Sequence, residues 1–153
     1  MHKTTARGFT LIELMIVVVI MGILVLIGIP AFFNMQGRAK VAQVKSSMHT
    51  VQIAVEDFAT RNDGIYPNDA TATTIDGALT LAQLLPSGAM PLNPFTAAPT
   101  TLDWSNVVNT APATDAAGGI ALNVTQSAGN WDTYQILGED DTALLLTLIL
   151  SNN

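Results

Sequence analysis

Arg7-Gly8-Phe9-Thr10-Leu11-Ile12-Glu13-Leu14 is the stretch on which the reading of this chain turns. Residues 1–8 are polar and basic, with His2, Lys3 and Arg7 and no carboxylate. After Glu13 no charge occurs until Arg38. Between them, Leu14 to Phe33 is an unbroken run of apolar residues, glycine and one proline. Twenty residues is about the helical length that crosses ~30 Å of hydrocarbon. An ionised acid at the start of such a run costs on the order of a few kcal/mol in hydrocarbon, so Glu13 is a functional candidate by default.

The run is longer than the apolar core of a secretory signal peptide, and no clear small-x-small cleavage site follows it. The chain has no cysteine, which excludes a lipoprotein signal, disulfides, thiolate catalysis and cysteine-based zinc sites. An uncleaved signal anchor stays open. Leader cations before the span and an acidic bulk after it predict a cytoplasmic start and an exported C-terminal part. All six basic residues lie at or before Arg61, and nine acids follow it. Such a surface repels phosphate, so no nucleic acid is expected on this half.

The segment Arg7-Gly8-Phe9-Thr10-Leu11-Ile12-Glu13-Leu14 resembles the prepilin processing site of type IV pilins and type II secretion pseudopilins. The resemblance runs through Gly22 and Pro30 to about residue 62. It implies that a prepilin peptidase removes the leader, residues 1–8, by cutting between Gly8 and Phe9. It also implies that the new Phe9 amine is methylated, and that Glu13 meets the amine of a neighbouring subunit and sets register. A small, flexible residue before the scissile bond suits such an enzyme. A desolvated carboxylate needs an opposite charge, and one supplied by the next subunit rewards docking. Pro30 cannot donate to a helix ladder and crowds the preceding turn. That gives either an ordinary membrane-helix kink or, as the resemblance implies, a segment between Gly22 and Pro30 that loses helix in a filament.

From Arg38 the pattern becomes one-sided. Val41, Val44, Met48, Val51, Val55 and Phe58 recur at helical spacing, opposite Lys40, Gln43, Lys45, Ser47, His49, Gln52 and Glu56. This predicts one long helix over residues 9–62, about 80 Å at ~1.5 Å per residue. Asn62-Asp63-Gly64 stops it. The first half would be the membrane span and filament core, and residues 63–153 would form a periplasmic or extracellular head.

In the head, residues 66–119 read as an irregular connection with a short helix over Leu79 to Leu85, stopped by Pro86 and Gly88. Tyr66-Pro67 and Asn93-Pro94-Phe95-Thr96 within it resemble the loop that follows the long helix in many pilins and pseudopilins. Three strands are expected: Ile120 to Val124, Trp131 to Leu137, with Tyr134 and Ile136 on one face, and Thr142 to Leu150. Tight turns join them into an antiparallel meander that covers the helix stripe. The fold class is therefore α+β, a pilin-like long helix packed on a small antiparallel sheet. Glu139-Asp140-Asp141 could offer oxygens to calcium, but reads as a solvated acidic turn, and no metal or cofactor is expected. Asn123-Val124-Thr125 matches a glycosylation pattern in a strand expected to be buried.

No phosphate loop, His–Glu metal motif or general acid–base spacing is present, so an enzyme is not expected. The first reading is a structural subunit that polymerises with itself and with minor pilins into a type IV pilus-like fibre. Its other partners would be prepilin peptidase, an inner-membrane assembly platform and, before assembly, the inner membrane itself. It would end on the cell surface. The second reading is a type II secretion pseudopilin that stays in the periplasm. A third is a signal-anchored periplasmic binding module. Phe32, Phe33, Phe58 and Tyr66 are too sparse to argue for a conductive wire over ordinary packing.

Overall fold

The computed structural model describes residues 8–112, 117–127 and 129–152. It divides into two compact units, Met1–Gly37 and Arg38–Asn153. One helix, α1 (Leu11–Thr60), contributes to both.

In the first unit every described residue from Gly8 to Gln36 is exposed. The apolar run thus has no cover of its own, and α1 is long and apolar enough there to cross a membrane. The helix continues through Gly22, Gly28 and Pro30 without interruption.

In the second unit the stripe becomes the core. Val44, Met48, Val51, Val55 and Phe58 are fully buried. Val41, at its edge, is half-buried. Ser47, expected on the polar face, is buried, because Ala54, Ala59 and Ser47 widen the stripe along its flank. The widening follows the i, i+3, i+4 geometry of a core-facing helix. α1 stops at Thr60, two residues before the expected end. Asp63 and Gly64 both take positive φ (54° and 82°), and the Gly64 amide donates to the Ala59 carbonyl at 2.8 Å. That left-handed reversal satisfies a carbonyl the helix end would leave open. The buried Asn62 side chain then ties the exit: its Oδ1 accepts from the Ile75 amide at 3.2 Å and its Nδ2 donates to the Ile65 carbonyl.

The short helix is α2 (Leu81–Leu84), tighter than the expected Leu79 to Leu85. Four strands follow: β1 (Leu102–Ser105), β2 (Ile120–Ser127), β3 (Asn130–Gly138) and β4 (Leu150–Ser151). They form one sheet in sequence order. β2 and β3 pair antiparallel as expected, with Leu122 opposite Ile136 and Val124 opposite Tyr134. Ile120, Leu122, Val124, Tyr134, Ile136 and Leu150 join the helix stripe in one core. Gly138 marks the closest approach: a Cβ there would stand 2.6 Å from Met48 Sδ.

Two expectations about the sheet are corrected. It is mixed rather than antiparallel, because β1, inside the stretch read as irregular, pairs parallel with β2. The last strand is not Thr142 to Leu150 but only Leu150–Ser151. Asp140 Oδ1 accepts from the Thr142 amide, the Thr142 hydroxyl and the Leu144 amide at 2.8–3.0 Å. Ala143 takes φ 57°. This local capture competes with ladder pairing, leaving a single Glu139–Leu145 bridge before the chain rejoins β3 at Leu150.

Candidate assembly site at the start of the long helix

Gly8 and Phe9 precede the helix in exposed, non-helical backbone, and Phe9 is 78% exposed. Thr10 begins the helix. Its amide donates to Glu13 Oε2 at 2.9 Å and its hydroxyl donates to the same oxygen at 2.7 Å, while the Glu13 amide reaches back to Thr10 Oγ1 at 3.3 Å. This is a capping box: two helix-start donors are satisfied reciprocally. A carboxylate in the first turn also complements the positive end of the helix dipole.

Sequence reasoning singled out Glu13 and passed over Thr10. The signal was present in Thr10-Leu11-Ile12-Glu13, a Thr-x-x-Glu spacing directly before an apolar run. The geometry adds two points. First, among the described residues both donors to its carboxylate belong to Thr10. Second, both Thr10 bonds end on Oε2, and among the described residues no hydrogen bond engages Oε1. The exposed carboxylate keeps a face for one more cation.

Gly22 and Pro30 lie further along the same helix and do not approach Glu13. Gly22 has open space where a Cβ would be. Between them and just beyond, Val25, Gly28, Ile29, Phe32 and Phe33 outline a shallow apolar hollow on the helix surface. Phe32 and Phe33 meet edge to face at 6.4 Å.

The head contains a polar cluster that the sequence did not disclose. Glu56, assigned to the polar face, accepts from the Tyr134 hydroxyl at 2.6 Å and the Tyr66 hydroxyl at 3.2 Å. Gln52 Nε2 donates to the Tyr134 oxygen at 3.1 Å. The two tyrosine rings lie 4.8 Å apart. Burial, reinforced by Glu56, pushes both phenols above the ordinary tyrosine range. The cluster ties α1 to β3 without reactive geometry. His49 is exposed beside Gln52, as the polar-face reading expected. Glu139 is buried and Asp140 is occupied by its turn, so the acidic triplet is not one surface. Among the described residues no group of three His, Cys, Asp or Glu side chains could hold a metal. Asn123 is fully buried on β2, its Nδ2 donating to the Thr110 carbonyl.

The family model described as the prokaryotic N-terminal methylation motif matches residues 3–29. The type IV major pilin protein PilA of Myxococcus xanthus is 47% identical over 57 residues, covering 37% of this chain and 26% of that protein. PilE, a type IV major pilin of Neisseria gonorrhoeae, is 39% identical over 73 residues, 48% of this chain and 43% of its own. PilA5, a type IV narrow pilus major component of Thermus thermophilus, is 39% identical over 75 residues, 49% of this chain and 65% of its own. The matches thus span less than two thirds of these relatives' lengths. No solved structure matches the chain. The N-terminal part of the chain is thus similar to type IV major pilins and carries the methylation motif, ahead of a small mixed sheet.

Proposed function

We propose that this chain is the structural subunit of a type IV pilus-like filament, held together by the apolar first half of α1. The observation that carries the proposal is Glu13: a carboxylate with one oxygen committed to Thr10, at the head of a helix segment exposed on every side. Exposed apolar surface of that extent needs lipid before assembly and like helices after it. Cutting between Gly8 and Phe9 removes two cations, Lys3 and Arg7. It also creates an amine at Phe9, which methylation leaves cationic. In a filament core that amine and a neighbour's Glu13 are each too costly to bury alone, and together they satisfy one another. Only one axial offset between helices brings them together, so the pair fixes register. Pro30 and Gly22 weaken the helix between them, and we place there the stretch that extends when helices pack.

The subunit would start in the inner membrane with its head exported, then pass through an assembly platform to the cell surface. The pilin relatives named above favour this over a periplasmic pseudopilin, which the N-terminal half alone would equally suit. Those relatives are named as pilin and pilus components. Glu13→Val tests the proposal. Membrane insertion should persist while fibre yield collapses. Fibres at normal yield would remove Glu13 from assembly.

A further inference from the structure

The cations of the second unit are arranged asymmetrically. Without Lys3 and Arg7 the chain keeps four of its six basic side chains, Arg38, Lys40, Lys45 and Arg61, against all twelve carboxylates. Arg61, at the far end of α1, is engaged by Asp57 at 3.0 Å and Asp76 at 3.3 Å. Arg38, Lys40 and Lys45 have no ion pair among the described residues. Arg38 and Lys40 are exposed and Lys45 is half-buried. Lys40 lies 5.3 Å from the Phe95 ring, which holds its stem against the head without neutralising it. The three form a cationic collar around α1 at the start of the second unit.

An exposed acid without a cation stands elsewhere. Asp63 lies just past the end of α1, at the opposite end of the second unit's helix from Arg38. From Arg38 to Asp63 the chain climbs roughly 35 Å at 1.5 Å per residue. That is several times the ~8 Å screening length in physiological salt, so the collar and Asp63 cannot pair within one copy. Copies that stack with an axial offset bring the collar of one toward the acids of another. Strongly acidic heads would otherwise repel each other in any assembly.

We propose that Arg38, Lys40 and Lys45 dock on the acidic head of a second copy, with Asp63 among the acceptors, forming a contact separate from the Glu13–amine pair. The inference rests on the filament reading and deepens it. The collar adds specificity and association rate more than raw affinity, and makes assembly sensitive to salt.

The test uses fibres grown from mixed light- and heavy-nitrogen protein, treated with a zero-length carbodiimide that joins amines to carboxylates in contact. Mass spectrometry should find Lys40 or Lys45 joined to a carboxylate of another copy in fibres, and not in detergent-solubilised monomer. Fibres in which both lysines couple only within their own copy, or not at all, would overturn the docking. The companion variant Arg38→Glu/Lys40→Glu/Lys45→Glu should insert in the membrane and lose fibre yield at least tenfold. If it assembles normally and loses only its binding to phosphatidylglycerol vesicles, the collar serves lipid headgroups and the proposal fails. A wild-type chain that never polymerises sinks the filament reading itself, whereas fibres lacking the cross-links sink only the collar.

Discussion

Met48 and Gly138 offer a quantitative test of how α1 meets the sheet. Met48 is fully buried, and a Cβ on Gly138 would come within 2.6 Å of its Sδ and 3.3 Å of Leu146 Cδ1 and Val44 Cγ1. Gly138→Ala therefore overpacks the contact, at about 1–3 kcal/mol. Met48→Ala opens a cavity on the other side, at about 2–5 kcal/mol. The two changes are complementary: the new methyl occupies part of the space the thioether leaves. The double variant should then be no less stable than Met48→Ala alone, a favourable coupling of at least ~1 kcal/mol. Guanidinium unfolding of the detergent-solubilised chain reads this directly, because Trp104 and Trp131 both pack on the core and change fluorescence when it opens. Additivity within ~0.5 kcal/mol would mean that helix and sheet do not meet at these two residues, and the packing described here would be wrong.

Other perturbations address the two candidate clusters. Replacing Gly8 with a bulky residue should leave the leader attached, visible as a heavier subunit on a gel; normal trimming would contradict cleavage at that bond. Thr10→Val should remove the cap and cost about 1 kcal/mol of helix-start stability, read as faster amide exchange in residues 11–14; unchanged exchange would deny the capping box. Tyr66 and Tyr134 have raised folded pKa values, so their stabilising contribution is complete below the unfolded value of about 10 and is lost as pH rises through the folded values. The head should lose stability progressively above pH ~10, and Tyr134→Phe should flatten that loss in denaturant midpoints. An identical alkaline profile for the variant would place the sensitivity elsewhere.

The long helix was legible because its signals are periodic and redundant. Twenty apolar residues and then a six-position stripe leave little choice of structure, and Gly64 supplies the stop. β2 and β3 were legible for the same reason, with alternation bounded by turn residues. β1 was not, since Leu102-Asp-Trp-Ser105 is too short to alternate and its parallel partner lies across a connection of residues 106–119. Parallel pairing needs such a crossover and leaves no local signature. The Thr142–Ile149 stretch misled because its leucines suit a strand, while one side chain, Asp140, decides the backbone through three short-range bonds. At the assembly site Glu13 stood out by charge alone. Thr10 did not, because a hydroxyl beside an apolar run draws no notice until its partner three residues on is considered. The Glu56–Tyr66–Tyr134 cluster was hidden altogether: its members are separated by 10 and 78 residues in sequence and meet only through the fold.

The central claim is that a processed amine at Phe9 joins a neighbour's Glu13 inside a filament. Mass spectrometry of the intact subunit, recovered from sheared surface fibres, tests it most directly. The account predicts a chain beginning at Phe9 and carrying one added methyl group. A fibre subunit that still begins with residues 1–8 would contradict it.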